Sequence, residues 1–258
     1  MFRVASLVPS PPVLVPELGG AAGSAPDGPV AGLRAAVLRA ATELGAAATR
    51  WIVVGVADPE DGTGVPVSAG VIGAEAVGTF RGYGADVRVG LSGSVFEGPA
   101  DASLPLAALI GGWVRAQVAP DAVAECRLIS ADASADECLT FGRNLRAELD
   151  AESDATGVLV IGDGAATLTT ASPRYLDERA EAAQEVLDTA LSAGDRAALA
   201  ALDTRLHTEL EVAGRPAFQV LAGLFAVDPV DPQVETLYTA APFGVGYHVG
   251  VWRPGVAR

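Results

Sequence analysis

The segment VPSPPVLVPE (residues 8–17) follows a short apolar run at residues 4–8 that is typical of a first β-strand. The prolines of this segment cannot lie within a central strand, because proline lacks the amide proton of the ladder and fixes φ. The chain therefore leaves the sheet here on a stiff path, and Ser10 stands at the carboxyl end of the strand. Ligand sites of open α/β sheets form at that end of the strands. Ser10 is thus the first candidate site residue.

Apolar runs and amphipathic segments alternate along the rest of the chain. The runs WIVVGV (51–56) and GVLVI (157–161) are typical of buried strands, and the Ala-rich segment at 30–48 has the spacing of a helix. Further strands are predicted at 69–80, 86–91, 124–130, 235–239 and 246–252, and further helices at 104–118, 135–149, 178–192, 196–202, 204–212 and 215–225. This alternation predicts one α/β domain over residues 1–258, with a central mixed, mostly parallel sheet flanked by helices.

Charge and hydropathy narrow the partners that we expect. The 258 residues carry a formal net charge of −15, which argues against a nucleic-acid or anionic-membrane surface, because phosphate binding needs clustered cations. No apolar run approaches the roughly 20 residues of a membrane helix. The sequence therefore predicts a cytoplasmic protein without a nucleic-acid or membrane partner.

Two residue types exclude whole classes of chemistry. All 17 basic residues are arginines, so neither a Schiff-base lysine nor the lysine of a P-loop is available. The two cysteines, Cys126 and Cys138, do not form a CxxC pair, which argues against a disulfide scaffold or a zinc knuckle. Both are predicted to be small residues of the core.

Acidic residues follow two of the predicted strands. GDGAAT (162–167) resembles a dinucleotide-binding turn, but Thr167 replaces the last glycine and no helix is predicted directly after it. A tight turn that presents Asp163 is the better interpretation. Asp58, in the loop after WIVVGV, could help to bind a hard cation such as magnesium, but the sequence DPEDGTG favours a turn.

The remaining candidates are one arginine and the two histidines. Arg215 stands at the start of a predicted helix, where a cation opposes the helix dipole, so we expect a carboxylate partner, an anionic ligand or exposure to water. His207 lies on a charged helix and is expected to be exposed. His248 lies in the last strand and is a candidate ligand-binding residue, with a packed histidine as the alternative. No HxH, HxxH or HExxH motif is present, so a histidine-rich metal site is not expected.

Taken in order, five segments resemble class III extradiol ring-cleavage dioxygenases, in their catalytic beta-subunit-like domain, a superfamily that includes protocatechuate 4,5-dioxygenase and the Memo-like proteins. The likeness runs along nearly the whole chain and is strongest to an uncharacterised actinobacterial branch. The segments are PSPPVLVPE (9–17), WIVVGVADP (51–59), VLVIGDGAA (158–166), AGRPAFQVLAG (213–223) and FGVGYHVGVW (243–252).

The resemblance implies a family fold without the family's metal site. Active members hold ferrous iron with two histidines and a glutamate, and another histidine acts as acid and base. At the matching positions this chain has Ser10, Asp58 and Arg215, with Ala166 in place of the catalytic histidine and Asp163 matching an aspartate. Iron(II) is therefore not expected to bind, and no other cofactor is indicated. We expect instead that Arg215 pairs with the carboxylates of Asp58 and Asp163 in the place of the metal.

Two functions follow from this resemblance. The first is a non-catalytic or metal-independent homologue, a pseudoenzyme that binds a small ligand or a protein partner in the former active-site cleft through Ser10, Asp163, Arg215 and His248. The alternative is an active enzyme with altered residues, either a residual ring-cleavage dioxygenase or a hydrolase that uses Ser10 and Asp163. The resemblance also leaves a homo-oligomer open, because active relatives often pair their subunits.

Overall fold

The computed structural model describes residues 1–20, 25, 27–57, 68–93 and 99–255 of the chain. Its strands are β1 (Phe2–Val8), β2 (Arg50–Ala57), β3 (Gly70–Ile72), β4 (Val77–Thr79), β5 (Arg88–Gly90), β6 (Val123–Ser130), β7 (Thr156–Ile161), β8 (Gln233–Ala240) and β9 (Tyr247–Arg253). Its helices are α1 (Pro29–Ala47), α2 (Leu106–Val118), α3 (Ala135–Ala151), α4 (Ala180–Ala193), α5 (Arg196–Ala200), α6 (Thr204–Glu209) and α7 (Arg215–Phe225).

Within the described residues, one seven-stranded sheet has the order β3-β6-β2-β7-β1-β9-β8. Strands β6, β2, β7 and β1 are parallel to one another, whereas β3 is antiparallel to β6 and β9 is antiparallel to both β1 and β8. Strand β8 therefore runs in the same direction as β1. Five of these described strands share one direction, which confirms the predicted mixed, mostly parallel sheet of an α/β fold.

Helices cover both faces of this sheet, because side chains of its central strands alternate between two apolar layers. In β2, Trp51 and Val53 pack with α1 and α2, whereas Ile52 and Val54 pack with α3, α4 and α7. All four side chains are fully buried. Burial on both faces explains why WIVVGV is an uninterrupted apolar run rather than an alternating one.

The boundaries differ most from the predictions in the weakly apolar region after β2. The single strand predicted at 69–80 is divided into β3 and β4, because residues 73–76 form a turn in which Ala76 donates to the carbonyl of Gly73. Strand β4 then pairs with β5 in a separate two-stranded sheet. A capping box begins α3: the Ser134 hydroxyl accepts from the Glu137 amide, and the Glu137 carboxylate accepts from the Ser134 amide.

The order of the central strands creates one edge that can hold a site. Strands β1, β2 and β7 are neighbours and run in parallel, so their carboxyl ends, at Val8, Ala57 and Ile161, lie along the same edge. The loops that leave β1 and β7 begin in register, because Val8 is paired with Ile161. No described helix combines the length and the apolar character that a membrane crossing requires.

Candidate functional site

Ser10 and Asp163 form a hydrogen-bonded pair at the carboxyl edge of the sheet. Each lies two residues beyond the end of its strand, Ser10 after β1 and Asp163 after β7. The Ser10 amide donates to Oδ1 of Asp163 and the Ser10 hydroxyl donates to Oδ2, both at 2.8 Å. The structure thus brings together two of the residues predicted from the sequence.

Backbone hydrogen bonds and close packing at neighbouring glycines hold Asp163 in this position. The Gly214 amide donates to the Asp163 carbonyl at 2.8 Å, and the Gly164 amide donates to the Gly246 carbonyl at 2.8 Å. A Cβ atom at Gly214 would lie 2.7 Å from the Asp163 carbonyl oxygen and 2.8 Å from its nitrogen. The GDG turn therefore needs glycine at position 214, and the AGRPA and FGVGYHVG segments both serve to fix this turn.

A cavity of about 410 Å³ opens beside the Ser10–Asp163 pair. Its walls are largely apolar and include Val56, Ile161 and Val245 from the strand ends and loops around it. Polar side chains also line it, and they are Ser10, Asp163, Arg174, Glu211 and Tyr247. An apolar cavity with a few convergent polar groups is the usual form of a small-molecule site.

Burial perturbs the two inner titratable groups of this cavity. Burial raises the pKa of the Asp163 carboxyl, and the two hydrogen bonds from Ser10 oppose that rise. The Tyr247 side chain is 4% exposed, and its pKa is raised mainly by burial and further by the nearby charge of Asp163. Both groups therefore resist carrying negative charge more than they would in water.

The outer part of the cavity carries a pair of opposite charges. The Arg174 guanidinium lies 3.8 Å from the Glu211 carboxylate, and both side chains are about half exposed. Glu211 is the single non-glycine residue in the described part of the chain with a positive φ, of 55°. Helix α6 ends at Glu209, before the end of the helix predicted at 204–212. The left-handed turn at Glu211 follows it and precedes Gly214.

Arg215 does not pair with Asp163, so this expectation from the sequence is wrong. Its guanidinium is buried and donates to Oε1 of Gln219 and to the carbonyl of Ala131, both at 2.8 Å. It does not line the cavity. The side chain extends from the start of α7 toward the chain before α3, where backbone and amide oxygens satisfy it.

The two histidines also lie outside the cavity. His248 is 3% exposed and its Nδ1 lies 3.2 Å from the Asp188 carboxylate, so the structure places it with α4 rather than with Ser10 and Asp163. His207 was expected to be exposed but is buried, with Nδ1 2.7 Å from the Asp203 carbonyl. Asp58 lies outside the described residues.

Tyr247 and Arg174 are among the polar cavity residues that the sequence did not predict. Neighbouring residues of a strand point to opposite faces, so within β9 Tyr247 and His248 cannot both face the same side of the sheet. Alternation alone could have suggested Tyr247 once His248 was assigned to the packed face. Arg174 lies in an irregular segment that has no comparable signal.

The described residues of the cavity do not match the iron site that active members of the resembled family have. A facial triad needs two histidines and a carboxylate, but the cavity is lined by two carboxylates, Asp163 and Glu211, and by neither histidine. Within the described ranges, no three His, Cys, Asp or Glu side chains lie close enough together to hold a metal ion. Within the described ranges, the donors that line the cavity are therefore not those of a facial triad.

No family model and no curated protein matches this chain. Among solved structures, the chain is similar to the uncharacterized protein JW3007 from Escherichia coli K12, with a TM-score of 0.47 and 13% sequence identity. The alignment covers 97% of this chain and 99% of that protein.

Proposed function

We propose that this protein is a homologue of class III extradiol dioxygenases that binds a small molecule in the former active-site cleft without iron. The cleft is the cavity at the carboxyl edge of β1, β2 and β7. The proposal combines the five segments of sequence resemblance with the chemistry of the residues that line the cavity.

The Ser10–Asp163 pair is the observation that carries the proposal. Ser10 stands where the resemblance places a histidine ligand, and it pairs with Asp163 instead of offering an imidazole nitrogen to a metal. The remaining walls are mostly apolar, which suits a small organic ligand. A cavity of about 410 Å³ lies in the size range of small-molecule sites.

The hydrolase alternative has one specific observation in its favour, the 2.8 Å hydrogen bond from the Ser10 hydroxyl to Asp163. A carboxylate that accepts the proton of a serine could activate that serine as a nucleophile. Labelling with a fluorophosphonate probe tests this directly. We expect no adduct on Ser10, and an adduct that disappears in Ser10→Ala would favour the hydrolase instead.

Anaerobic loading with ferrous iron tests the metal-independent part of the proposal. The protein is incubated with excess Fe(II) and desalted without oxygen, and is then analysed for iron and, after air is admitted, for cleavage of protocatechuate. We expect neither retained iron nor ring cleavage. Retention of one iron per chain, with or without ring cleavage, would contradict the proposal.

A neutral aromatic probe tests the binding part. Benzyl alcohol is titrated into the chelator-treated protein by NMR, in the wild type and in Ala166→Phe, which places a ring into the cavity wall. Ala182→Phe, at an exposed position of α4, is the matched control. We expect binding in the wild type and in the control, but not in Ala166→Phe. Equal binding in all three proteins would contradict a site in this cavity.

A further inference from the structure

Asp163 lines the cavity, and no residue in the described part of the chain supplies a cation to its carboxylate. Its oxygens accept hydrogen bonds from the Ser10 amide and hydroxyl, both of which are neutral donors. Among the described residues, none of the ion pairs made by an arginine or a histidine involves Asp163. A partly buried charge is costly unless an opposite charge joins it.

Tyr247 adds a second polar group that faces the same cavity. The Tyr247 side chain is 4% exposed, and it lines the cavity together with Asp163. The nearby charge of Asp163 adds to the effect of burial in raising the pKa of the Tyr247 hydroxyl. The phenolic oxygen can therefore accept a hydrogen bond from the same ligand group that Asp163 binds.

We propose that the cavity binds small organic ammonium ions, whose N–H groups donate to the Asp163 carboxylate and to the Tyr247 hydroxyl. The apolar part of the ligand then lies against Val56, Ile161 and Val245. This inference rests on the proposed function, since it names the ligand class of the same cleft. An ammonium group supplies the positive charge that Asp163 lacks and up to three N–H donors.

Two features of the cavity favour an anion instead. Residues 105–107, at the N-terminus of α2, line the cavity, and a helix N-terminus carries a partial positive charge of about one half. Arg174 also faces the cavity, but it already lies 3.8 Å from Glu211. Two carboxyl groups, Asp163 and Glu211, line the cavity against one arginine and the helix N-terminus, so we expect the cation to bind more tightly than the anion.

Three probes with the same ring separate these outcomes. Isothermal titration calorimetry at neutral pH compares benzylamine, a cation, with neutral benzyl alcohol and anionic benzoate, on the chelator-treated full chain. We expect benzylamine to bind about tenfold or more tightly than benzyl alcohol, as a charge-assisted hydrogen bond implies, and benzoate to bind most weakly.

The Asp163→Asn variant assigns this preference to the carboxylate. It keeps the shape of the side chain and should weaken benzylamine by about tenfold or more while leaving benzyl alcohol nearly unchanged. Asp188→Asn, which removes a carboxylate beside His248, is the matched control and should leave all three affinities unchanged. Tyr247→Phe should produce a smaller loss for benzylamine.

Each other result overturns the inference. If benzyl alcohol or benzoate binds as tightly as benzylamine, or if Asp163→Asn leaves benzylamine unchanged, the ammonium site is wrong although the cleft still binds small ligands. If none of the probes binds, or if Ala166→Phe binds all of them normally, the proposed function fails as well.

Discussion

The negative charge of Asp163 does not stabilise the folded protein. Burial raises its pKa, and its partners are two neutral groups of Ser10. A charge that is disfavoured in the folded state lowers stability wherever the group is ionised. A ligand that neutralises Asp163 would remove this cost, which gives the carboxylate a role in binding rather than in folding.

The stability of Asp163→Asn relative to the wild type should therefore depend on pH. The folded pKa of Asp163 lies above its ordinary value near 3.8, so the favourable contribution of the protonated acid is complete below that value. It is lost as the pH rises through the folded pKa. We expect the wild type to lose stability relative to Asp163→Asn as the pH rises from about 4 to neutrality.

Urea unfolding of both proteins across this pH range provides the measurement. The difference between their free energies of unfolding isolates Asp163 from the many other acids of the chain. A difference that grows in favour of the wild type with rising pH would mean that a cation stabilises Asp163 in the free protein.

Gly214→Ala should destabilise the protein by about 1–3 kcal/mol, as expected for overpacking. The added Cβ would lie 2.6 Å from the Phe218 ring and 2.7 Å from the Asp163 carbonyl oxygen. Gly70→Ala is the control, because nothing lies within 4 Å of a Cβ atom at that position. Thermal unfolding of the two variants checks this. Equal stability would show that the contact between Gly214 and the GDG turn is not tight in solution.

Among the elements, the buried strands were the most predictable from the sequence. The apolar runs at 51–56 and 157–161 became β2 and β7, because strands buried on both faces are apolar throughout. Strands β1 and β7 are parallel neighbours, so the residues that follow their carboxyl ends, Ser10 and Asp163, lie at one edge of the sheet. The division of 69–80 could not be predicted, since β3 and β4 depend on which partner strand each one meets, and those pairings are long-range.

The direction in which a long side chain extends could not be predicted from the sequence. Arg215 was correctly placed at the start of α7, but whether it extends toward the cavity or toward Ala131 depends on how α7 packs beside α3. In the same way, the pattern of β9 drew attention to His248, whereas the cavity is lined by Tyr247. Fold was thus predictable from local pattern, and only the Ser10–Asp163 half of the site followed from it.

Arg215 therefore has a structural role, linking the start of α7 to the chain before α3. Arg215→Met keeps an unbranched apolar stem but removes the guanidinium, which leaves the Ala131 carbonyl and the Gln219 side chain without their donor. We expect a loss of about 1–3 kcal/mol in stability with the benzylamine affinity nearly unchanged. Urea unfolding and calorimetry check the two halves of this prediction. A lost affinity at unchanged stability would return Arg215 to the binding site.

At the scale of the whole molecule, the buried polar groups with a structural role are distinct from those that line the cavity. Arg215 and the His248–Asp188 pair lie away from the cavity, and the described residues that face it are apolar apart from a few at its floor and outer part. The net charge of −15 further favours the approach of a cation over that of an anion. In the fold, Asp163 thus lines a cavity where a cationic ligand can bind to its carboxylate.

A crystal structure of the metal-free protein with benzylamine tests this account most directly. We predict the ring in the cavity beside Ile161 and Val245, with the ammonium nitrogen at hydrogen-bond distance, about 2.7–3.2 Å, from an Asp163 carboxylate oxygen. A ligand bound with its nitrogen away from Asp163, or a cavity that stays closed to benzylamine at saturating concentration, would contradict the account.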